Sequence, residues 1–401
     1  MSLFHTFFLM NSDDARRYAV EVLHAFGPEE DVRCAEIGDG NINYVFRIWA
    51  EGSGRSLIVK QADTRLRSSG RPLSVRRSEL EARCLELEGR LAPGYVPRVL
   101  RYDRTMSALA MEDLSAYGNL RGELMANRVY PHLGENLSTF LAEVLLPTTD
   151  LVMDRQEKKK QVDFFINPEM CDITEDLVLT EPYDDYRGRN VVTPGNEAFV
   201  EAAVYRDEEL HAEVAALRDG FMNHAQALVH GDLHTGSVLA NERGIRIIDP
   251  EFAFYGPMGY DIGNLLGNLF FSWGNKVFTM PEAQAAIAAL EQTIREIYDR
   301  TAEKLSEKYD RTVRPALCRN PLFKKRYLDG VMADALGYAG TEIIRRVVGD
   351  SKVAELTCVR DLSRRIPLER ALLRQGVFLI KNRTRITSGR EITEAFRLIL
   401  A

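Results

Sequence analysis

In the stretch Leu228–Glu251, "LVHGDLHTGSVLANERGIRIIDPE", two aspartates sit where short apolar runs end. Asp232 follows Leu228-Val229 and His230-Gly231, whereas Asp249 follows Ile245 to Ile248 and precedes Pro250 and Glu251. Residues so placed serve as turn formers, as metal ligands of a phosphoesterase, or as the base and metal holder of a phosphotransferase. The last chemistry needs an aspartate that accepts the proton of an attacking hydroxyl, with a residue five positions on helping to hold metal. Asp232 and Ser237 have that spacing. Asp249 and Glu251 are two positions apart, so on an extended segment their carboxylates point to the same side. Oxygen ligands of this kind suit Mg²⁺, which takes its remaining ligands from phosphates and water.

The phosphoesterase reading needs a downstream GDxxD and a GNH[DE], and neither occurs. His230 and His234 are four apart, but the glutamate of an HExxH zinc site is missing. His230 reads as a brace of its loop, and the role of His234 is open.

Upstream residues could complete a phosphoryl-transfer site. "EIGDGNINYVFRI" places the small turn Gly38–Gly40 between two strands, where backbone N–H groups can cradle phosphates. An ordinary hairpin has the same look. The chain has no GxxxxGK[ST], and a strand rather than a helix follows the glycines, so neither a Walker A loop nor a Rossmann turn is present. Lys60 in "LIVKQA" lies on an apolar strand, where a lone lysine usually snorkels to water. About twenty residues on, a helix carries Glu79 and Glu81. A strand lysine paired with a helix glutamate holds the α- and β-phosphates of a nucleotide; Glu81 is the chosen partner, although a surface carboxylate has the same sequence signature.

The elements that position these residues follow from the pattern. "NSDDARRYAVEVLHAF" predicts a helix capped near Asn11 to Asp14, and Val32 to Ala62 alternates apolar and polar residues as strands. "SVRRSELEARCLELEGRL" places Leu80, Cys84, Leu87 and Leu91 at helical spacing. Short strands return at Val99 to Tyr102 and Ala108 to Met111, and helical patterns dominate from Leu114 onward. The longest helix candidate is Glu282 to Tyr309, its "EKLSEKYDR" end read as a solvated face. Asp150 to Asn196, polar and interrupted by glycine and proline, is read as irregular.

The composition is that of a soluble globular protein: 401 residues, 45% hydrophobic and 28% charged. A net charge of -7 argues against nonspecific nucleic-acid binding. Five scattered cysteines without a CxxC pair read as reduced thiols. The start "MSLFHTFFLMNSDD" lacks a basic n-region, and no window approaches eighteen apolar residues. A cytoplasmic protein that neither enters a membrane nor binds nucleic acid is therefore expected.

The order of these features resembles the aminoglycoside phosphotransferase and choline kinase branch of the protein-kinase-like fold. "EIGDGNINYVF", "AMEDL", "LVHGDLHTGS" and "IDPEFAFYGPMGYDIGNLL" resemble the methylthioribose kinase family in particular. The resemblance implies an α+β, bilobal architecture, with a small antiparallel-sheet N-lobe (1–111), a hinge (112–116) and a large, mainly helical C-lobe (117–401). It implies phosphorylation of the 1-hydroxyl of 5-methylthioribose by ATP in methionine salvage, with Asp232 as base. Asp249 and Glu251 would hold Mg²⁺ and Lys60 would steady the phosphates. Gly38, Gly40, Asn41, Asn43, Glu81 and Pro250 would lie with them at the nucleotide, and Glu112, Asp113 and Leu114 would line adenine. Arg345-Arg346 in "TEIIRRVVG", on sequence alone a surface pair, matches the arginines that the family uses on the sugar. A homodimer is implied as well. Ser237 stands where general kinases have Asn, as in this family, which leaves its metal contact in doubt. Arg71 in "SSGRPLSV" replaces the family's frequent Trp. Other small alcohols (an aminoglycoside, choline, homoserine) and a nucleotide-binding pseudoenzyme are the alternatives, and an arginine pair would repel a cationic acceptor.

Overall fold

A computed structural model describes residues 3–27, 29–37, 43–65 and 72–401. Gly38, Gly40, Asn41 and Arg71 lie outside the described residues. The chain divides into two compact units, one of residues 1–116 with 246–253, the other of 117–245 with 254–401.

The first unit opens on α1 (Ser12–Glu21), which starts where Asn11 and Asp14 cap each other reciprocally. Five antiparallel strands follow: β1 (Val32–Glu36), β2 (Asn43–Ala50), β3 (Ser56–Ala62), β4 (Val99–Asp103) and β5 (Ala108–Glu112), in sheet order β1-β2-β3-β5-β4. Phe46, Ile48 and Ala50 alternate inward from β2 and form a core with Val59, Met106 and Tyr18. The central strand β3 is buried on both faces from Leu57 to Ala62, so Lys60 has no surface to snorkel to. α2 (Arg76–Leu91) joins β3 to β4. Its buried face is rotated from the predicted stripe: Leu87 and Leu91 are half-buried, while Glu81 and Glu88 are buried beside Leu80, Cys84 and Leu85. Carboxylates can occupy that face because Glu81 meets a buried ammonium.

The expected lobe division shifts at one point. Residues 246–253 were expected with the helical lobe and instead cluster with the first unit. The Ile247 N–H donates to the Tyr95 carbonyl at 2.7 Å, and the side chains of Asp249 and Glu251 meet partners on β3, β2 and α2.

The second unit is mostly helical. Its first helices are α3 (Leu120–Met125), α4 (Leu133–Leu145), α5 (Arg155–Phe164), α6 (Pro168–Leu177) and α7 (Glu181–Asp184). The last three correct the reading of Asp150 to Asn196 as irregular. Asp154 caps α5 by accepting from Gln156 and Glu157, and the prolines that looked like breakers stand in the first turns of α6 and α7. α8 (Glu197–Val200) and α9 (Glu208–Asn223) lead to β6 (Ala227–Val229), which pairs antiparallel with β7 (Phe254–Gly256). Next come α10 (Gly259–Thr279), α11 (Gln284–Thr312), α12 (Pro321–Val348), α13 (Ala354–Thr357), α14 (Leu362–Asn382) and α15 (Gly389–Leu400). The "EKLSEKYDR" end of α11 is more than a solvated face: Leu305 and Tyr309 are buried, and Lys304 and Lys308 pair with Glu135 and Glu143 of α4.

Gly259, Gly263 and Gly267 let α10 lie directly on α12. A Cβ on Gly263 would sit 2.7 Å from the Ala339 nitrogen, and one on Gly267 would sit 3.3 Å from the Cβ of Glu342. This crossing places Glu342, Arg345 and Arg346 at the site described below. The five cysteines are free. Among the described residues, no helix is long and apolar enough to cross a membrane.

Candidate active site

The first unit assembles a buried charge cluster. β3 presents Lys60, 4% exposed, and α2 presents Glu81, 1% exposed. The Lys60 ammonium donates to Glu81 Oε1 at 2.8 Å and to Asp249 Oδ1 at 2.9 Å. Burial alone would lower the lysine pKa, but Asp249, Glu81 and Glu251 outweigh it and hold the cation. Burial pushes the Glu81 carboxyl up to about 7; Lys60 opposes this, and the charges of Asp249 and Glu251 add to it.

Glu251 faces a different set of partners. Its Oε2 accepts from the Asn43 side chain at 2.9 Å and lies 3.4 Å from Arg77 Nε. Arg77 also donates to Asn43 Oδ1 at 3.0 Å and to the carbonyls of Asp63 and Ser74. The sequence reading passed over Arg77, although it stands one helical turn before Glu81, where i and i+4 share a face.

The premise of an extended Asp-x-Glu is corrected. Asp249 has φ of 64°, in the left-handed region, so strand alternation does not govern its relation to Glu251. The Asp249 side chain is 44% exposed. With Pro250 buried between them, Asp249 and Glu251 are an oxygen-only pair that fits a hard divalent cation taking its other ligands from a nucleotide and water. Among the described residues, no cluster of three or more His, Cys, Asp or Glu side chains forms a self-sufficient metal site.

Glu112 ends β5, its N–H donating to the Arg98 carbonyl at 2.9 Å and its carboxylate accepting from the Arg98 N–H at 3.1 Å. Asp113 pairs with Arg47 at 2.8 Å, and Leu114 is buried.

The second unit holds Asp232 on a braced loop. After β6, Gly231 takes φ of 82°, a conformation that L side chains rarely adopt. Asp261, in the first turn of α10, accepts from the His230 N–H at 2.6 Å and from the Gly231 N–H at 3.0 Å. The Asp232 N–H donates to His230 Nδ1 at 3.3 Å, consistent with His230 as a brace. Asp261 was quoted within a motif but given no role. The Ser237 hydroxyl donates to the Asp232 carbonyl at 3.0 Å, which engages it inside the loop. The Ser237 N–H donates to His234 Nδ1 at 3.0 Å. That bond leaves the His234 proton on Nε2, 3.6 Å from Asp232 Oδ2. Burial, chiefly, drops the His234 pKa to about 4, with Arg121 and Arg346 adding to the effect and Asp232 opposing it, so the ring is neutral at pH 7.

Arg345 and Arg346 are not a surface pair. Arg345 Nη2 lies 3.8 Å from Asp232 Oδ1, and both guanidiniums bond through Nε to the buried Glu342, at 2.5 Å for Arg345 and 3.0 Å for Arg346. Burial raises the Asp232 carboxyl, but any positive charge on His234, and then the two arginines, pull it below its ordinary value. With His234 neutral, Arg345 and Arg346 are the cations that favour the charged form of Asp232 against its burial. Burial likewise opposes ionisation of Glu342, yet Arg345 and Arg346 hold it at about 2. Two cations and two anions thus balance here, which weakens the expected repulsion of a cationic acceptor.

An ammonium clasped by carboxylates and an aspartate on a braced loop beside an arginine are the parts of a phosphotransferase. The chain matches the model of the phosphotransferase enzyme family over residues 33–303 and is a small-molecule kinase of that class. Methylthioribose kinase from Klebsiella pneumoniae is 38% identical over 402 residues, covering 99% of each chain. The enzyme of that name from a Geobacillus species is 36% identical, covering 90% of this chain and 89% of its own. The chain belongs to the methylthioribose kinase family. Among solved structures, a choline kinase from Cryptosporidium parvum is similar at 12% identity, covering 92% of this chain and 97% of that one, with a TM-score of 0.49.

Proposed function

We propose that this protein transfers the γ-phosphate of ATP to the 1-hydroxyl of 5-methylthioribose, giving 5-methylthioribose 1-phosphate in methionine salvage. The observation that carries this reading is Asp232 on a loop braced by Asp261, with Arg345 Nη2 3.8 Å from its carboxylate. Full-length similarity to methylthioribose kinases supports it.

Asp232 accepts the proton of the 1-hydroxyl as that oxygen attacks phosphorus. An anomeric hydroxyl is more acidic than an ordinary alcohol, so a carboxylate without a raised pKa suffices as base. Arg345 and Arg346 orient the sugar, and Lys60, held protonated, steadies the phosphates. Gly38, Gly40, Asn41, Asn43, Glu112, Asp113, Leu114 and Pro250 are assigned to the nucleotide on the same reading, and Ser237 to the loop rather than to metal. Asp249 and Glu251 would hold Mg²⁺, which when bound neutralises charge on the phosphate oxygens. The reading includes a cytoplasmic homodimer, for which family resemblance is the ground.

The test is ADP release with 5-methylthioribose beside choline, an aminoglycoside, homoserine and simple sugars. Turnover with 5-methylthioribose, at the highest kcat/KM of the panel, is expected. A higher value for another alcohol overturns the substrate assignment, and ATP binding without any ADP formation indicates a pseudoenzyme.

A further inference from the structure

Glu342 is 1% exposed and lies behind the residues assigned to the acceptor. Both of its oxygens are engaged. Oε2 accepts from Arg345 Nε, and Oε1 accepts from Arg346 Nε and from the Asn268 side chain at 2.9 Å. Asn268 is itself fixed, because its Oδ1 accepts from Arg121 Nη2 at 3.0 Å. The carboxylate therefore cannot swing aside, and it grips both guanidiniums by Nε, the end nearer the backbone. Arg345 still reaches Asp232 with a terminal nitrogen.

The four groups joined by ion-pair contacts at Asp232 sum to zero, Asp232 and Glu342 against Arg345 and Arg346, with His234 neutral. Beyond them Arg121 is paired with Glu355, and Asp261 is engaged by the His230 and Gly231 N–H groups. Two guanidiniums without Glu342 would leave the group at +1. A buried cationic pocket of that kind binds phosphate and carboxylate strongly. The proposed substrate is an uncharged polyol and its product a phosphate ester, so an uncompensated arginine pair would favour the product over the substrate.

We propose that Glu342 sets the charge of the acceptor pocket, cancelling one of the two arginine charges so that the pocket takes a neutral sugar and releases its phosphorylated form. This rests on the kinase reading and deepens it. When Asp232 accepts the hydroxyl proton, the sum rises from zero to +1 beside the newly formed phosphate ester. Loss of that proton returns the sum to zero and weakens the hold on the product. Glu342 is a positioning residue in this scheme, because it acts through the arginines.

The experiment compares wild type, Glu342→Gln and Glu342→Gln/Arg346→Gln. It measures inhibition by inorganic phosphate and by the sugar 1-phosphate, against varied sugar at saturating ATP. Glu342→Gln is expected to be inhibited at roughly tenfold or more lower concentrations than wild type, as befits an unscreened buried charge. The double variant restores the zero sum and is expected to return toward wild-type sensitivity. A clamp with no charge role predicts a raised KM in both variants with unchanged anion inhibition, and that result overturns the proposal. If Glu342→Gln does not fold, Arg346→Gln alone gives a sum of -1 and must be less phosphate-sensitive than wild type; equal or greater sensitivity overturns the proposal. If wild type does not turn over 5-methylthioribose, the kinase reading fails. Calorimetric titration of inorganic phosphate into wild type and Glu342→Gln then tests the charge role by itself: tighter binding to the variant supports it, and equal binding overturns it.

Discussion

Replacing Lys60 with Met tests whether the charge cluster of the first unit is organised around this ammonium. Lys60 touches Glu81 at 2.8 Å and Asp249 at 2.9 Å. At about 3 Å and an effective dielectric near 20, each contact is worth roughly 5–6 kcal/mol of attraction before desolvation is subtracted. The Asp249 contact is screened, because that side chain is 44% exposed. The Glu81 contact is not, and removing one partner of a buried pair typically costs about 3–5 kcal/mol. The variant leaves Glu81, Asp249 and Glu251 with Arg77 as the cation that contacts Glu251.

The pH dependence sharpens this expectation. Glu81 binds its proton more tightly in the folded protein than in the unfolded chain, where its carboxyl has the ordinary value of 4.5. Its ionisation therefore subtracts stability as pH rises from about 4.5 towards 7. Without Lys60 the folded-state pKa climbs further, so the subtraction continues to higher pH. Urea unfolding of wild type and Lys60→Met at about pH 5 and about pH 8 should show the full loss of about 3–5 kcal/mol only at the higher pH. At the lower pH a proton on Glu81 replaces the ammonium, and the loss should shrink by about 1.4 kcal/mol or more, the equivalent of one pKa unit. Equal stability of the two proteins at about pH 8 would refute a buried pair. An identical loss at both pH values would refute the raised Glu81. Turnover should fall about a hundredfold or more at either pH, since the phosphates lose a preorganised cation.

Asp232→Asn should lower kcat by about a thousandfold or more while leaving ATP affinity, measured by calorimetry, near wild type; near-normal turnover would remove Asp232 as base. Asp261→Asn replaces one of the two carboxylate acceptors of the His230 and Gly231 N–H groups with an amide, which cannot accept at both positions. It should cost about 1–3 kcal/mol in urea unfolding and lower kcat more than it changes the KM for ATP. Gly263→Val drives a side chain into the α12 backbone at Ala335 and Ala339 and should destabilise by about 1–3 kcal/mol or more; an unchanged urea midpoint would show that the crossing relaxes freely.

How much of this was legible beforehand depended on whether a residue's partner was local. The capping box at Asn11 and Asp14, the five strands and α2 follow from spacing within a few residues, and they stand where the pattern put them. Lys60 and Glu81 were paired on the kinase pattern of a strand lysine and a following helix glutamate, although the sequence could not separate that pair from a surface carboxylate. Prolines in Asp150 to Asn196 were read as breakers because proline at a helix start and proline in a loop look alike, and α6 and α7, which carry Pro168 and Pro182 in their first turns, have no side-chain cap to mark their starts. Asp249 shows a different limit. Period-two alternation assumes extended backbone, and a left-handed aspartate leaves no trace in a pattern of apolar residues.

Glu342 was the least legible residue of the site. In "GTEIIRRVVG" it is one more acid three and four residues before a basic pair, the spacing of any solvated helix face. What makes it different is the α10 crossing at Gly263 and Gly267, which buries that turn of α12, and Asn268, which supplies a donor from the other helix. Once the turn is buried, two guanidiniums need countercharge, and a carboxylate at that position bonds to both and supplies one of the two negative charges, Asp232 the other. The arginines assigned to the sugar thus depend on three glycines and an asparagine elsewhere in the chain. Substitutions along that seam should therefore move the KM for the acceptor before they touch the nucleotide.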